Sequence, residues 1–279
     1  MYYEPVCRIN LGMQTDALYP TDLTDEQWTH IQPWVPSPQP GGRPPRHSRR
    51  HILNGILYIT QAGCAWRLLP QTFPPWSTVY GYFWCWSKSG LWERIHHKLR
   101  DLVRAQAGKQ REPTAAIMDS QTVKTGEPHG DYGYDAGKKV LGRKRHLLVD
   151  TLGLILWVLI TPANEQDRDM ACPLLAQALT RFRRLQVIWA DGGYAGQLLA
   201  WVRQRWRGRA RVEVVRRSDQ AKGFVVQPKR WIVERTFGWL TKARRLVKDY
   251  ERKSDHSEAF IYIRMSHLML RRIHPSRKS

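Results

Sequence analysis

The chain has 279 residues, 42% of them hydrophobic, enough for one large domain or two modest ones. Its 45 Lys and Arg against 24 Asp and Glu leave a formal charge of +21, which points to an anionic polymer as partner, nucleic acid first, with a merely soluble basic protein as the alternative. The four cysteines, Cys7, Cys64, Cys85 and Cys172, include no CxxC pair and so exclude the usual zinc spacing, and the most apolar run, "LGLILWVLIT", is half the roughly 20 residues of a membrane span.

Residues 1–20 lack periodicity and read as an arm, without the basic start and apolar run of a signal peptide. "LTDEQWTHIQPWV" opens a helix, with Thr24 as N-cap and Gln27 completing a capping box. "PSPQPGGRPPRHSRR" is a Pro/Gly-rich linker that turns basic. Its Arg43, Arg46, Arg49 and Arg50 suit a minor-groove arm, or else only solubilise the linker. Three further helices follow. Ile52, Ile56 and Ile59 repeat at helical spacing, "PPWSTVYGYFWCWSKSG" ends near Gly90, and Leu91, Ile95, Leu99 and Leu102 share one face. Cys64 and Cys85 read as reduced core residues, Trp66, Trp76, Trp84 and Trp86 as packed ones, and His96-His97 as lying on a polar helix face. The expected division is an arm (1–20), a helical, helix-turn-helix-like DNA-binding domain (21–111) and a second domain (112–279).

From Thr114 the pattern changes. "TAAIMD" is a short buried strand, and "KRHLLVDT" and "LILWVLIT" form a hairpin about Leu152-Gly153. A helix with an early Pro173 leads to the strand "QVIWAD". The helix "YAGQLLAWVRQRW", the strand "RVEVV" and a long helix over 229–250 complete the chain. The order β-β-β-α-β-α-β-α is that of a ribonuclease H-like α/β domain, a mixed five-stranded sheet with flanking helices preceded by the all-helical region.

Three acids fall at telling places in that order. Asp119 ends the first strand, Asp191 ends the fourth, and Glu234 lies in the last long helix. If the first and fourth strands are neighbours, the three carboxylates converge at one sheet edge and repel one another unless cations sit between them. Oxygen-only ligands favour Mg²⁺ or Mn²⁺, and two such ions serve in-line phosphoryl transfer. Gly192-Gly193 would let a phosphodiester approach. Taken singly, each acid has a plainer role: a turn acid, an N-cap, a solvated helix residue. Asp150, before the hairpin turn, and Asp167 and Asp169, at a helix start, are rivals that capping explains. Lys124 is placed as a phosphate contact near the first strand tip. Lys138, Lys139, Arg143, Lys144 and Arg145 in "GKKVLGRKRH" form a basic run that grips phosphates or is simply an exposed loop.

"MDSQTVK", "GRKRHLLVDTLGLIL", "TPANEQDRD", "VIWADGGYAG" and "KRWIVERTFGWLTKARRL" together resemble the motifs of bacterial insertion-sequence transposases of the DDE class, in particular the insertion sequence 5 group. "GRPPRHSRRHILNGILYITQAGCAWRLLP" resembles that group's helical N-terminal domain. The resemblance runs from about residue 20 to 272. It implies a ribonuclease H-like catalytic domain with the triad Asp119, Asp191 and Glu234, and two Mg²⁺ or Mn²⁺ ions. The implied substrate is double-stranded DNA, element ends with terminal inverted repeats and then target DNA, cleaved and joined by at least a dimer. A cytoplasmic, nucleoid-associated protein with no membrane or organic cofactor is expected. A DNA-binding repressor or a stand-alone nuclease of the same fold are the alternatives. Asp191 and Glu234 stand 43 residues apart, which leaves no room for the large β insertion of some related transposases. Arg230 matches an Arg of the family signature around the last acid and, with Arg235, joins the candidate DNA contacts. The signature's Tyr and Lys positions hold Gln227 and Thr241, with Lys242 one step on.

Overall fold

The computed structural model describes residues 18–37, 45–126, 130–215 and 229–275. Most of the expected arm, Cys7, Arg43 and Gln227 lie outside the described residues.

Four helices come first: α1 (Asp25–Ile31), α2 (Arg49–Ala62), α3 (Trp76–Lys88) and α4 (Leu91–Gln106). The capping box at α1 forms as the sequence predicts. The Gln27 N–H donates to Thr24 Oγ1 and the Thr24 N–H donates to Gln27 Oε1, both at 3.2 Å. α2 stops at Gly63, whose φ of +70° favours glycine and where a Cβ would stand 2.8 Å from Cβ of Arg244.

The sheet holds β1 (Ala115–Lys124), β2 (Gly133–Asp135), β3 (Val140–Asp150), β4 (Ile155–Pro162), β5 (Val187–Ala190) and β6 (Arg211–Val214). β1–β3 and β3–β4 are antiparallel, whereas β1–β5 and β5–β6 are parallel. The resulting order β4-β3-β1-β5-β6 is the ribonuclease H-like arrangement. Among the described residues the sheet has six strands rather than five. The addition is β2, three residues that extend the β4 edge of β3 and are too short to show an alternation of their own.

Helices cover both faces: α5 (Asp167–Arg181) and α6 (Gln197–Arg205) on one, α7 (Trp231–Thr241) and α8 (Ser254–Ile273) on the other. The pleat divides β1 between them. Ala116 and Met118 pack with Leu174, Leu175 and Leu198, whereas Ile117 packs with Val233, Phe237 and Phe260. Two differences from the sequence reading concern this second face. The last long helix ends at Thr241, and a 3-10 turn at Arg244–Leu246 follows it. α8 is an additional helix, buried on nearly every side, that runs against α4.

Because of α8, one hydrophobic core crosses the expected boundary at residue 111. Phe83 of α3 stacks on Phe260 of α8, with ring centroids 4.7 Å apart. His96 and His97 are buried against Tyr262 of α8, not displayed on a polar face. Cys85 is exposed, contrary to its reading as a core residue, and Cys64 is half-buried. Asp150 is a structural acid as expected. It is fully buried, ion-paired with Arg104, and accepts the Leu152 and Leu154 N–H groups at 2.9 Å. Among the described residues no helix is long and apolar enough to cross a membrane.

Candidate active site

β1 and β5 bring the first two acids together. Ile117 and Trp189 are the last pair of the parallel ladder; Asp119 lies two residues further along β1, and Asp191 is the residue after the end of β5. Asp119 is not at a strand end, however. β1 runs on to Lys124 because the polar residues Ser120 to Thr122 keep pairing with β3 after β5 has stopped. The catalytic candidates therefore sit where the central strand outlasts its parallel neighbour.

Each aspartate has one oxygen fixed by backbone and one turned to the same cation. Asp119 Oδ1 accepts the Ser120 N–H at 2.7 Å, and Asp191 Oδ1 accepts the Gly193 N–H at 2.9 Å. Arg230 Nη2 lies 3.6 Å from Asp119 Oδ2 and 3.8 Å from Asp191 Oδ2. Asp191 is thus both an N-cap for the 3-10 turn Gly192–Tyr194 and a partner of Arg230; the two contacts use different oxygens. A Cβ on Gly192 would meet nothing within 4 Å, so the space behind Asp191 is open.

Glu234 is exposed in the first turn of α7, one turn after Arg230, where the helix end favours a carboxylate. α7 is held at three points. Lys229 places its ammonium 3.7 Å over the Trp189 ring of β5, Arg235 donates to the Leu152 carbonyl at 3.0 Å, and Thr236 donates to the Gly153 carbonyl at 2.8 Å. Electrostatics tie the third acid to the first two. Burial first, and then the charges of Asp191 and Glu234, push the Asp119 carboxyl up to about 6, against the opposing pull of the Ser120 N–H and Arg230. Among the described residues no three His, Cys, Asp or Glu side chains stand close enough to hold a metal ion. The aspartate pair is formed around Arg230, and Glu234 stands off on its helix.

The basic candidates divide. Arg143 and Arg145 are not in an exposed loop. They lie in β3, 2% and 1% exposed, on the face covered by α8 and the 3-10 turn. Arg143 donates to the Asp131, Glu251 and Arg252 carbonyls and pairs with Asp249, and Arg145 donates to the Leu246 carbonyl. Lys144, on the other face, is buried against the Glu165 carbonyl and Asp167. These three are corrected from DNA contacts to internal cations, because their polar groups are taken up by carbonyls and acids distant in sequence.

Lys124 is exposed, but five residues beyond Asp119 it takes the opposite face of the pleat, ~17 Å along the strand, so it is not beside the acids. Lys138 and Lys139 are exposed at the turn into β3, with Lys138 donating to Thr122 Oγ1 at 3.2 Å. Arg46 is exposed. Arg49 lies 4.5 Å over the Tyr82 ring, and Arg50 is paired with Asp25. Arg235 is sandwiched between Trp231 and Trp239, 4.5 and 4.6 Å from the ring centroids. The sequence reading missed Lys229, Trp189 and the buried Tyr194. The one available signal was the position of Trp189 two residues before an acid already singled out.

Two family models match the chain. "Putative transposase of IS4/5 family" covers residues 23–96, and "Transposase DDE domain" covers residues 110–270. A Burkholderia cepacia protein, the insertion element IS402 uncharacterized 16.2 kDa protein, is 34% identical over 37% of this chain and 72% of its own length. The same organism's "Putative transposase for insertion sequence element IS402" is 32% identical over 43% of this chain and 59% of its own. Protein y4sN of Sinorhizobium fredii is 30% identical over 26% of this chain and 58% of its own. The chain therefore spans just under six-tenths of the latter two relatives. A solved Mos1 mariner paired-end complex with Mn overlaps 88% of this chain and 84% of its own, at 11% identity and a TM-score of 0.25, too low to bear on the site. The DDE-domain match extends over more than half of the chain, from the residues before β1 into α8, and by that match the chain belongs to the transposase DDE-domain family.

Proposed function

We propose that the chain is a DNA transposase that cuts a phosphodiester at the ends of its element and joins the freed end to target DNA, with Asp119, Asp191 and Glu234 as the catalytic acids. The observation that carries this is that Asp119, in β1, and Asp191, the residue after β5, each turn Oδ2 to the same Arg230 Nη2, at 3.6 and 3.8 Å, with Glu234 one turn beyond that arginine.

The donor set fits a hard divalent cation. All three groups are carboxylates, two of them turn an oxygen to a common point, and the burial that raises Asp119 disfavours its charged form in a way that a bound cation would offset. Asp119 and Asp191 would hold Mg²⁺ or Mn²⁺, and the exposed Glu234 would complete the set by a side-chain swing. Bound there, a pair of such ions would activate the attacking oxygen and stabilise the leaving one. The protein supplies the rest. Gly192 leaves room for the phosphodiester, the Lys229–Trp189 contact and the Gly153–Thr236 hydrogen bond set the pose of α7, and exposed Arg46, Lys138 and Lys139 offer charge to the duplex further out. Two element ends require two such sites, hence at least a dimer on DNA.

A labelled duplex carrying the element end, a supercoiled target plasmid and Mg²⁺ test this reading. The expected product is the labelled end joined to the plasmid. Cleavage without joining would make the protein a nuclease, and binding without cleavage would make it a repressor.

A further inference from the structure

We propose that Arg230 is the exchangeable counter-ion of the acid site: it holds Asp119 and Asp191 together before metal arrives, yields them to the metal, and then turns its charge to a DNA phosphate. The inference rests on the reading of Asp119 and Asp191 as metal ligands and adds a role for the arginine between them.

Three observations carry it. First, the oxygens are already divided. Each Oδ1 atom already accepts a backbone N–H, so the Oδ2 atoms are the less engaged acceptors for a cation shared by the two aspartates, and those are the atoms that face Arg230 Nη2. Arginine and metal therefore compete for the same two acceptors. Second, the contact is one of charge and not of tight hydrogen bonding. Distances of 3.6 and 3.8 Å exceed those of a good N–H···O bond, so the guanidinium neutralises the pair without locking onto either member. Third, the backbone around Arg230 is anchored while its side chain is long. Lys229 is stacked on Trp189, and Arg235 and Thr236 are bonded to the β3–β4 turn, so displacement moves the side chain and leaves α7 in place. A guanidinium displaced there remains beside the point where the phosphodiester must lie, and its planar fork suits phosphate oxygens.

Metal and DNA then become linked ligands. Metal releases the arginine for phosphate, and phosphate, by holding the arginine, favours metal by the same factor. A static phosphate contact would lack this dependence, since it would aid DNA binding equally with and without metal.

The test uses the full-length protein, with Mn²⁺ titrated calorimetrically into wild type, Asp191→Asn, Arg230→Gln and Arg230→Lys. Asp191→Asn should bind Mn²⁺ at least tenfold more weakly; equal binding would overturn the metal-site reading itself. Arg230→Gln should bind Mn²⁺ about tenfold more tightly than wild type, the size of an ordinary coupling between sites. Binding no tighter than wild type, with the Asp191 effect intact, would overturn the exchange alone. In the second arm, affinity for an element-end duplex is measured in Ca²⁺, which takes the same oxygen donors, and in EDTA. Arg230→Gln should weaken DNA binding about tenfold in Ca²⁺ and less than twofold in EDTA; equal weakening in both would also overturn the proposal. Should the Gln variant fold poorly, Arg230→Lys serves instead. It keeps the charge, so Mn²⁺ affinity should stay within about twofold of wild type, but its ammonium lacks the planar fork for phosphate, so DNA binding should weaken in Ca²⁺ and not in EDTA; equal weakening in both would overturn the exchange.

Discussion

Asp119 shows how a single side chain is made costly for the sake of a site. Its carboxyl titrates at about 6 in the folded chain, above its usual 3.8, chiefly because it is buried and then because Asp191 and Glu234 are near. The folded state therefore binds a proton more firmly than the unfolded state between about pH 4 and 6. In that window stability falls as pH rises, and above it the loss is complete. Asp119→Asn should accordingly be more stable than wild type by about 2 kcal/mol at pH 8 in EDTA, with the gain largely gone at pH 4. Urea unfolding at the two pH values checks this, and an equal gain at both would assign the effect to packing instead of charge. That Asp119 and Asp191 come together was legible in the sequence, since a carboxylate at the end of an apolar run is conspicuous, and both face Arg230. The place of Asp119 in the strand was not, because Ser120 to Thr122 look like a turn until β3 is there to pair with them. Arg143 and Arg145 were misread for the same reason. Charge in a sequence suggests solvent, and the carbonyls that bury these two lie about a hundred residues away.

Among the elements, α7 carries Arg230's neighbour Glu234, the third acid of the proposed site, and its pose depends on a turn in another part of the chain. Gly153 joins β3 to β4 with φ at +79°, and a Cβ there would stand 2.9 Å from Thr236 Oγ1 and 3.0 Å from the Trp239 ring. Gly153→Ala should therefore cost about 1–3 kcal/mol, from the left-handed backbone together with the clash, and should lower cleavage by shifting Glu234. Denaturant melts and single-turnover cleavage under folding conditions check both effects; unchanged cleavage with lost stability would mean that α7 is set by its other contacts. Elements with an amphipathic stripe, such as α2 and α4, were legible from spacing. α8 was not, because a helix buried from His256 to Leu270 has no polar face to reveal its period. The extent of α7 was overestimated since no Pro or Gly follows Thr241 at once. The chain breaks there because Arg245 is drawn to the Cys64 carbonyl and Glu251, partners that local pattern does not reveal.

At the scale of the whole molecule, the helical and sheet regions share one hydrophobic core. α8 closes the face of the sheet and packs on α4, α3 and α2, so residues 21–111 bury much of their apolar surface only against the C-terminal part. A fragment of residues 1–111 should consequently be partly helical but lack a cooperative melt, whereas the full chain melts in one transition. Calorimetry decides this, and a sharp independent transition for the fragment would mean that α4 does not need α8. The charge of +21 is also less available than its size suggests. Arg100, Arg104, Arg143, Lys144, Arg145, Arg245 and Arg264 are all buried, so the excess displayed at the surface is smaller and is carried by the exposed cations.

The central claim is that Asp119, Asp191 and Glu234 act together on a phosphodiester through a divalent cation. Cleavage of an element-end duplex in Mg²⁺ by wild type and by Asp119→Asn, Asp191→Asn and Glu234→Gln tests it most directly, with folding and DNA binding of each variant verified. Cleavage by wild type that EDTA abolishes, and a loss of at least about a thousandfold in each variant with DNA binding retained, is the predicted result. A variant that binds DNA and still cleaves near the wild-type rate, or wild-type cleavage that persists in EDTA, would contradict it.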